Sequence, residues 1–232
     1  MSPVQGAIYA DRVNLALTEG RIFKFAWNQA YPVFTFWDLG SPKNTVVLYV
    51  QFIGHAVHFI DCDADLDMNP SRRVIHMKEK GYHYARHFLP HDGDSEGSTG
   101  MSFRQLLERA GLKNITVLPR PGDVWPGIHS AQAMFNRCSF HSENCARFIE
   151  GLNAYRTRID KKSGHETSEP VHDWASHLAD PFRVVAEALD GGYIQIGVQA
   201  PPPKVISALA GVGDEWEGKR ERESRVISAL EW

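Results

Sequence analysis

Three aspartates stand where an apolar run gives out: Asp38 after Val33 to Trp37, Asp92 after Phe88-Leu89-Pro90-His91, and Asp180 at the end of His172-Asp-Trp-Ala-Ser-His-Leu-Ala-Asp180. A carboxylate drawn towards apolar surroundings loses hydration, and a hard divalent cation is the strongest partner able to offset the loss. Oxygen ligands suit Mg2+ or Mn2+, whereas zinc takes more His and Cys. Phosphodiester hydrolysis needs a more acidic water and a stabilised leaving oxygen. Two such ions about 4 Å apart, bridged and flanked by carboxylates, supply both. Asp38, Asp92 and Asp180 are the expected metal ligands of such a centre.

Each aspartate also has a plainer reading. Asp38 precedes Gly40-Ser41-Pro42 and fits an Asx-turn, and Asp92 opens a glycine-rich loop in which Asp94 and Glu96 are either further ligands or solvated charges. If 173–180 is helical, Asp173, His177 and Asp180 fall at i, i+4 and i+7 and share one face beside Trp174 and Leu178. His177 would then ligate, orient a carboxylate or shuttle a proton. Pro181 opens the alternative that Asp180 is a helix N-cap, because the first helical position accepts proline and the interior does not.

Other clusters carry weaker chemistry. Cys138, His141 and Cys145 would set three soft ligands on one helix face, but no fourth is evident, so two small core residues and a boundary histidine are preferred to a zinc site. Gly213 to Lys219 has phosphate-loop spacing. Arg220 takes the place of the Ser or Thr, no strand precedes the segment and three acidic residues oppose phosphate, so no ATPase motor is read there. Basic residues gather at Arg72, Arg73, Lys78, Lys80 and Arg86 and at Arg156, Arg158, Lys161 and Lys162. They serve as non-specific phosphate contacts or as solvated helix faces.

The elements that must position these groups follow from periodicity. A short helix is expected over 4–18 and a half-buried strand over 21–26. Runs at 33–37, 45–52 and 56–60, joined by short turns, read as an antiparallel meander. Asn69-Pro70 caps a helix over 70–80 that Gly81 ends, and a strand returns over 82–89. Ser102 and Gln105 form a capping box for a helix with Phe103, Leu106, Leu107 and Ala110 on one face. A strand at 115–118, a long helix at 142–160, a polar loop at 161–170 and a last helix at 173–189 complete the order. Strands and helices in this order make an α/β layer fold, a mixed β-sheet flanked by helices, which fits a ribonuclease H-like architecture. The expected organisation is a lead-in over 1–30, the α/β domain over 31–192 and a flexible or docking tail over 193–232 that contains Pro201-Pro-Pro203.

Bulk properties bound the partners. With 232 residues of which 43% are apolar, the chain can build a packed core. A net charge of -3 exerts no global pull on nucleic acid, so any DNA contact must be local or run through the metal. Three cysteines without a Cys-x-x-Cys pair argue against a disulfide framework. There is no run of about 18 apolar residues and no secretion-signal pattern, so an intracellular, non-membrane protein is expected.

In combination, Phe36-Trp-Asp-Leu-Gly40, Phe88-Leu-Pro-His-Asp92 and His172-Asp-Trp-Ala-Ser-His-Leu-Ala-Asp180-Pro-Phe-Arg183 resemble the nuclease domain of tailed-phage and prophage terminase large subunits, over about residues 5 to 190. The resemblance implies a ribonuclease H-like fold and metal-dependent endonucleolytic cutting of concatemeric double-stranded viral DNA during genome packaging. It places Asp38, Asp92 and Asp180 at the family's acidic metal positions and His177 at a histidine found three residues before the last. It further implies a portal and a small terminase subunit as partners, and a site of action in the cytoplasm of a bacterial host. An ATPase domain is expected in the full-length subunit, and Met1 begins near the domain junction. The alternatives are another ribonuclease H-like nuclease, such as a junction resolvase, and a non-catalytic docking module.

Overall fold

A computed structural model describes residues 5–97, 100–160 and 165–196. Of the expected tail over 193–232, the residues from 197 on, including the phosphate-loop-like segment, lie outside the described residues, as do Lys161 and Lys162. The element order is α1 (Ala10–Thr18), β1 (Ile22–Phe23), β2 (Val33–Asp38), β3 (Val46–Ile53), β4 (Ala56–Asp63), α2 (Pro70–Glu79), β5 (Tyr84–Leu89), α3 (Phe103–Arg109), β6 (Ile115–Val117), α4 (Trp125–Met134), β7 (Cys138–His141), α5 (Ala146–Ala154), β8 (Thr157–Ile159), β9 (Glu166–Pro170) and α6 (Trp174–Asp190).

The seven-stranded sheet runs in the order β1-β7-β4-β3-β2-β5-β6. The β2-β3-β4 meander is antiparallel, and β5, β6, β7 and β1 join in parallel, so the mixed sheet expected from the order of elements is present. Strand alternation splits the core in two. Phe36, Leu48, Phe59 and Phe88 face a cluster shared with Phe148, Leu178 and Phe182, while Trp37, Val47, Tyr49 and Leu89 face one shared with Val74, Met77 and Leu107. Helices therefore cover both faces. Ile8, Tyr9, Val13 and Ala16 pack into the first cluster.

Local signals with a mechanism are realised. Asn69 accepts from the Arg72 backbone N–H ahead of Pro70, Ser102 and Gln105 form the reciprocal capping box, and Gly81 takes the left-handed conformation after α2 (φ 69°). Several expectations are corrected. The long helix over 142–160 is only Ala146–Ala154: Tyr155 turns extended and the chain enters β8, which pairs antiparallel with β9 in place of the expected polar loop. The first helix starts at Ala10, and only Ile22–Phe23 of the 21–26 run is a strand. Helix α4 and strand β7 have no counterpart among the expected elements. β7 is held on both sides by distant strands, β1 and β4, and such pairing leaves little local pattern.

Two glycines set the position of α6. A Cβ on Gly151 of α5 would lie 2.6 Å from Leu178 Cδ1, and one on Gly127 of α4 would lie 2.8 Å from Arg183 Cγ. The close approach of α5 and α4 to α6 requires both positions to be bare.

Candidate metal centre

Asp38 is the last residue of β2, near the middle of the sheet, and alternates with Phe34 and Phe36 towards α6. β5 runs parallel to β2 with Phe36 opposite Phe88, so both strands end on the same sheet edge. The 3-10 turn His91–Asp94 that follows β5 brings the exposed Asp92 to that edge. Helix α6 packs over β2 and β3 and delivers His177 and Asp180 from the other side. Asp38 and His177, 139 positions apart, thus meet because a central strand end lies under the first turns of a helix.

His177 Nδ1 lies 2.9 Å from Asp38 Oδ2 and donates to it, with side chains 22% and 15% exposed. Asp180 Oδ1 accepts from Arg183 Nη2 at 3.4 Å, and Arg183 Nη1 is 2.5 Å from Glu187 Oε1. Burial pushes the Asp38 carboxyl from 3.8 up to about 6; the His177 hydrogen bond opposes the rise, and the charges of Asp180 and Asp92 add to it. Burial likewise raises Asp180 against the opposing pull of Arg183. His177 is raised, first by its hydrogen bond to Asp38. The carboxylates feel one another as neighbouring like charges in a desolvated place.

Among the described residues, no three His, Cys, Asp or Glu side chains converge closely enough to hold a metal ion as they stand. Asp38 is turned to His177 and Asp180 to Arg183. The donor types nevertheless suit a hard divalent cation: Asp38, Asp92 and Asp180 offer carboxylate oxygens, and burial raises the carboxyls of Asp38 and Asp180.

Other sequence expectations resolve differently. Asp180 is not an N-cap: α6 runs unbroken through Pro181, and the N-cap is Asp173, whose side chain accepts from the Ala175 N–H and pairs with Arg156 at 3.0 Å. Asp173 is therefore committed to the helix start and leaves the expected acidic stripe. Asp94 pairs with Arg104 at 2.9 Å. Cys138 and His141 lie in β7 and Cys145 precedes α5, so the three do not share a helix face. Both thiols bond backbone carbonyls, Met134 and Phe59, and burial drives them well above the ordinary range, which removes the zinc site.

The basic groups thin out as well. Arg73 is fully buried and donates to the Pro42 and Leu66 carbonyls, Lys80 pairs with Asp61 and Asp63, and Arg158 meets Glu169 at 3.5 Å. A groove of ≈ 210 Å³ beside His177 is lined in part by Lys43, Asn44, Arg147, His172 and Trp174. His172 contacts the His177 ring edge to face at 5.1 Å and lies 3.1 Å from the Ser176 hydroxyl. His172, Trp174 and Arg183 lie in the stretch from His172 to Arg183 that carries His177 and Asp180, but the sequence alone gives them no role. Trp174 and Arg183 fall at helical spacing from His177 and Asp180, whereas His172 precedes the N-cap of α6.

No family model matches the sequence, and no curated protein matches it. Solved structures do. The large terminase of a thermophilic bacteriophage, in complex with ATP-gamma-S, is 14% identical with a TM-score of 0.56, over 76% of this chain and 44% of that one. The large terminase nuclease from the thermophilic phage G20c with bound magnesium is 11% identical with a TM-score of 0.54, over 80% of this chain and 98% of that one. The large terminase nuclease domain from the bacteriophage SPP1 with bound Mn is 14% identical with a TM-score of 0.52, over 67% and 85%. The match thus spans less than half of the ATP-gamma-S-bound terminase but nearly all of the G20c nuclease. No described helix is long and apolar enough to cross a membrane. The chain has the ribonuclease H-like α/β fold of terminase large-subunit nuclease domains.

Proposed function

We propose that this chain is a Mg2+- or Mn2+-dependent DNA endonuclease that cuts concatemeric double-stranded viral DNA during genome packaging, with Asp38, Asp180 and Asp92 holding two ions. The observation that supports this reading is that Asp38 at its strand end and Asp180 on the overlying α6 are both buried carboxylates raised by burial, with the charges of Asp180 and Asp92 felt at Asp38. Solved structures of the same fold bear magnesium, cobalt or manganese. Divalent ions bound at the carboxylates would supply Lewis acidity to the scissile phosphate and a more acidic water.

The residues divide the remaining work. Asp38 would hold a cation as its carboxylate, whose orientation the His177 Nδ1–H fixes. The second imidazole nitrogen is then free to pass a proton to or from the reacting water or leaving oxygen. Arg183, tethered by Glu187, restrains Asp180. In the full packaging assembly the chain would work with an ATPase domain, a portal and a small subunit, in the cytoplasm of the bacterial host.

Plasmid nicking tests the reading. Supercoiled DNA should be nicked with Mn2+ or Mg2+ and left intact with EDTA, and Asp38→Ala should remove the activity. Undiminished nicking by that variant contradicts the assignment.

A further inference from the structure

Trp174 is the first residue of α6, three positions before His177, so its ring lies within about one helical turn of the imidazole. It is 41% exposed, one of few large apolar side chains left in solvent. The ring is braced: the Arg147 guanidinium sits 4.3 Å from its centroid, and Arg147 is in turn held by Asp65 and Glu150, each at 2.8 Å. An arginine clamped between two carboxylates has little charge left to offer a phosphate. What it provides is a cationic backing to one face of the indole.

The same groove carries a cation that is not spent. The described residues offer Lys43 no ion-pair partner, and it lines the groove with Asn44, His172, Trp174 and His177. An exposed indole backed by a guanidinium, beside a lysine without an ion-pair partner among the described residues, is a combination that binds a single nucleic-acid strand: every base has a π-face to stack, and the ammonium meets the backbone. A groove of ≈ 210 Å³ is sized for one nucleoside and not for a duplex.

Resting on the nuclease reading of Asp38 and Asp180, we propose that Trp174 is a stacking platform for an unpaired base next to the cut phosphate, with Lys43 on the adjoining phosphate. The substrate strand is thus engaged locally single-stranded. Unstacking is least costly at frayed or distorted steps, so the platform biases cutting towards them.

The test uses the full chain in EDTA, where no cleavage occurs, and fluorescence anisotropy with two labelled eight-nucleotide strands: oligothymidylate and an abasic strand of equal charge. Wild type should bind the thymidine strand about tenfold tighter. Trp174→Ala should bring it down to the abasic level, while Trp174→Phe keeps most of the gap. Lys43→Gln should weaken both strands alike and flatten the salt dependence. An unchanged gap in Trp174→Ala, or no gap in wild type, overturns the proposal. Plasmid nicking run in parallel separates the two readings: a gap without nicking breaks the nuclease assignment alone, and nicking without a gap breaks the platform alone.

Discussion

Two groups of aspartates lie on opposite faces of the same sheet, and the fold supplies them with different partners. Asp61 and Asp63 at the end of β4 point to the α2 side, where Lys80 Nζ reaches both at 2.7 and 2.9 Å. The Tyr49 hydroxyl donates to Asp63 at 2.6 Å, the Tyr82 hydroxyl to Asp61 at 3.1 Å, and His76 Nε2 lies 3.2 Å from Asp63. Asp38 and Asp180 on the α6 side have one histidine and one long arginine contact between them. The first pair is met from within the chain by a lysine, two tyrosine hydroxyls and a histidine. The second has fewer internal partners, and it is there that the proposed cations would bind.

The comparison breaks most sharply by removing one acid from each group. Asp38→Ala should lower metal-dependent nicking by at least about a thousandfold, the scale on which loss of a transition-state-stabilising group is felt, while leaving the protein folded. Asp63→Ala should do the opposite. It leaves the buried Tyr49 hydroxyl without its acceptor and Lys80 with Asp61 alone, which should cost about 1 to 3 kcal/mol in a denaturant melt, and nicking per folded molecule should be retained.

How much of this is legible in the sequence depends on how local the cause is. The caps at Asn69 and Ser102 and the meander from Val33 to Asp63 are written in neighbouring residues, and so is the place of Asp38 at the end of its strand. The switch at Tyr155 is not, because apolar residues continue at helical spacing while the chain becomes extended to pair with Glu166–Pro170. Helix α4 is hidden by its Trp125-Pro126-Gly127 opening, where Gly127 is needed for the approach of Arg183 rather than for helicity. Asp173 and Asp180 exchange the roles that Pro181 suggests, since packing of Pro181, Phe182 and Val185 in the core outweighs the lost hydrogen bond to the His177 carbonyl. Asp61 and Asp63 give no signal because Lys80 and the tyrosines reach them only once the sheet and α2 are assembled.

Smaller effects sharpen the contrast. Gly151→Ala forces α5 away from Leu178 and should cost about 1 to 3 kcal/mol, with a matching fall in nicking because α6 carries His177 and Asp180. Asp38→Asn should stabilise the metal-free fold by roughly 1 to 2 kcal/mol at pH 7. The folded carboxyl is raised from 3.8 to about 6, so the native state binds its proton more tightly than the unfolded chain and loses stability as pH rises through that window. The gain in Asp38→Asn should therefore be present above about pH 6 and absent below about pH 4, as thermal melts across that range would read. A gain independent of pH assigns it to something other than the buried charge.

The claim that one acid group is reserved for a cation and the other is not is tested most directly by anomalous diffraction from crystals soaked in Mn2+. The account predicts peaks at coordination distance from Asp38 and Asp180, with Asp92 turned in towards them, and none at Asp61 or Asp63. Manganese at Asp61 and Asp63, or no ordered ion at Asp38 and Asp180, would contradict it.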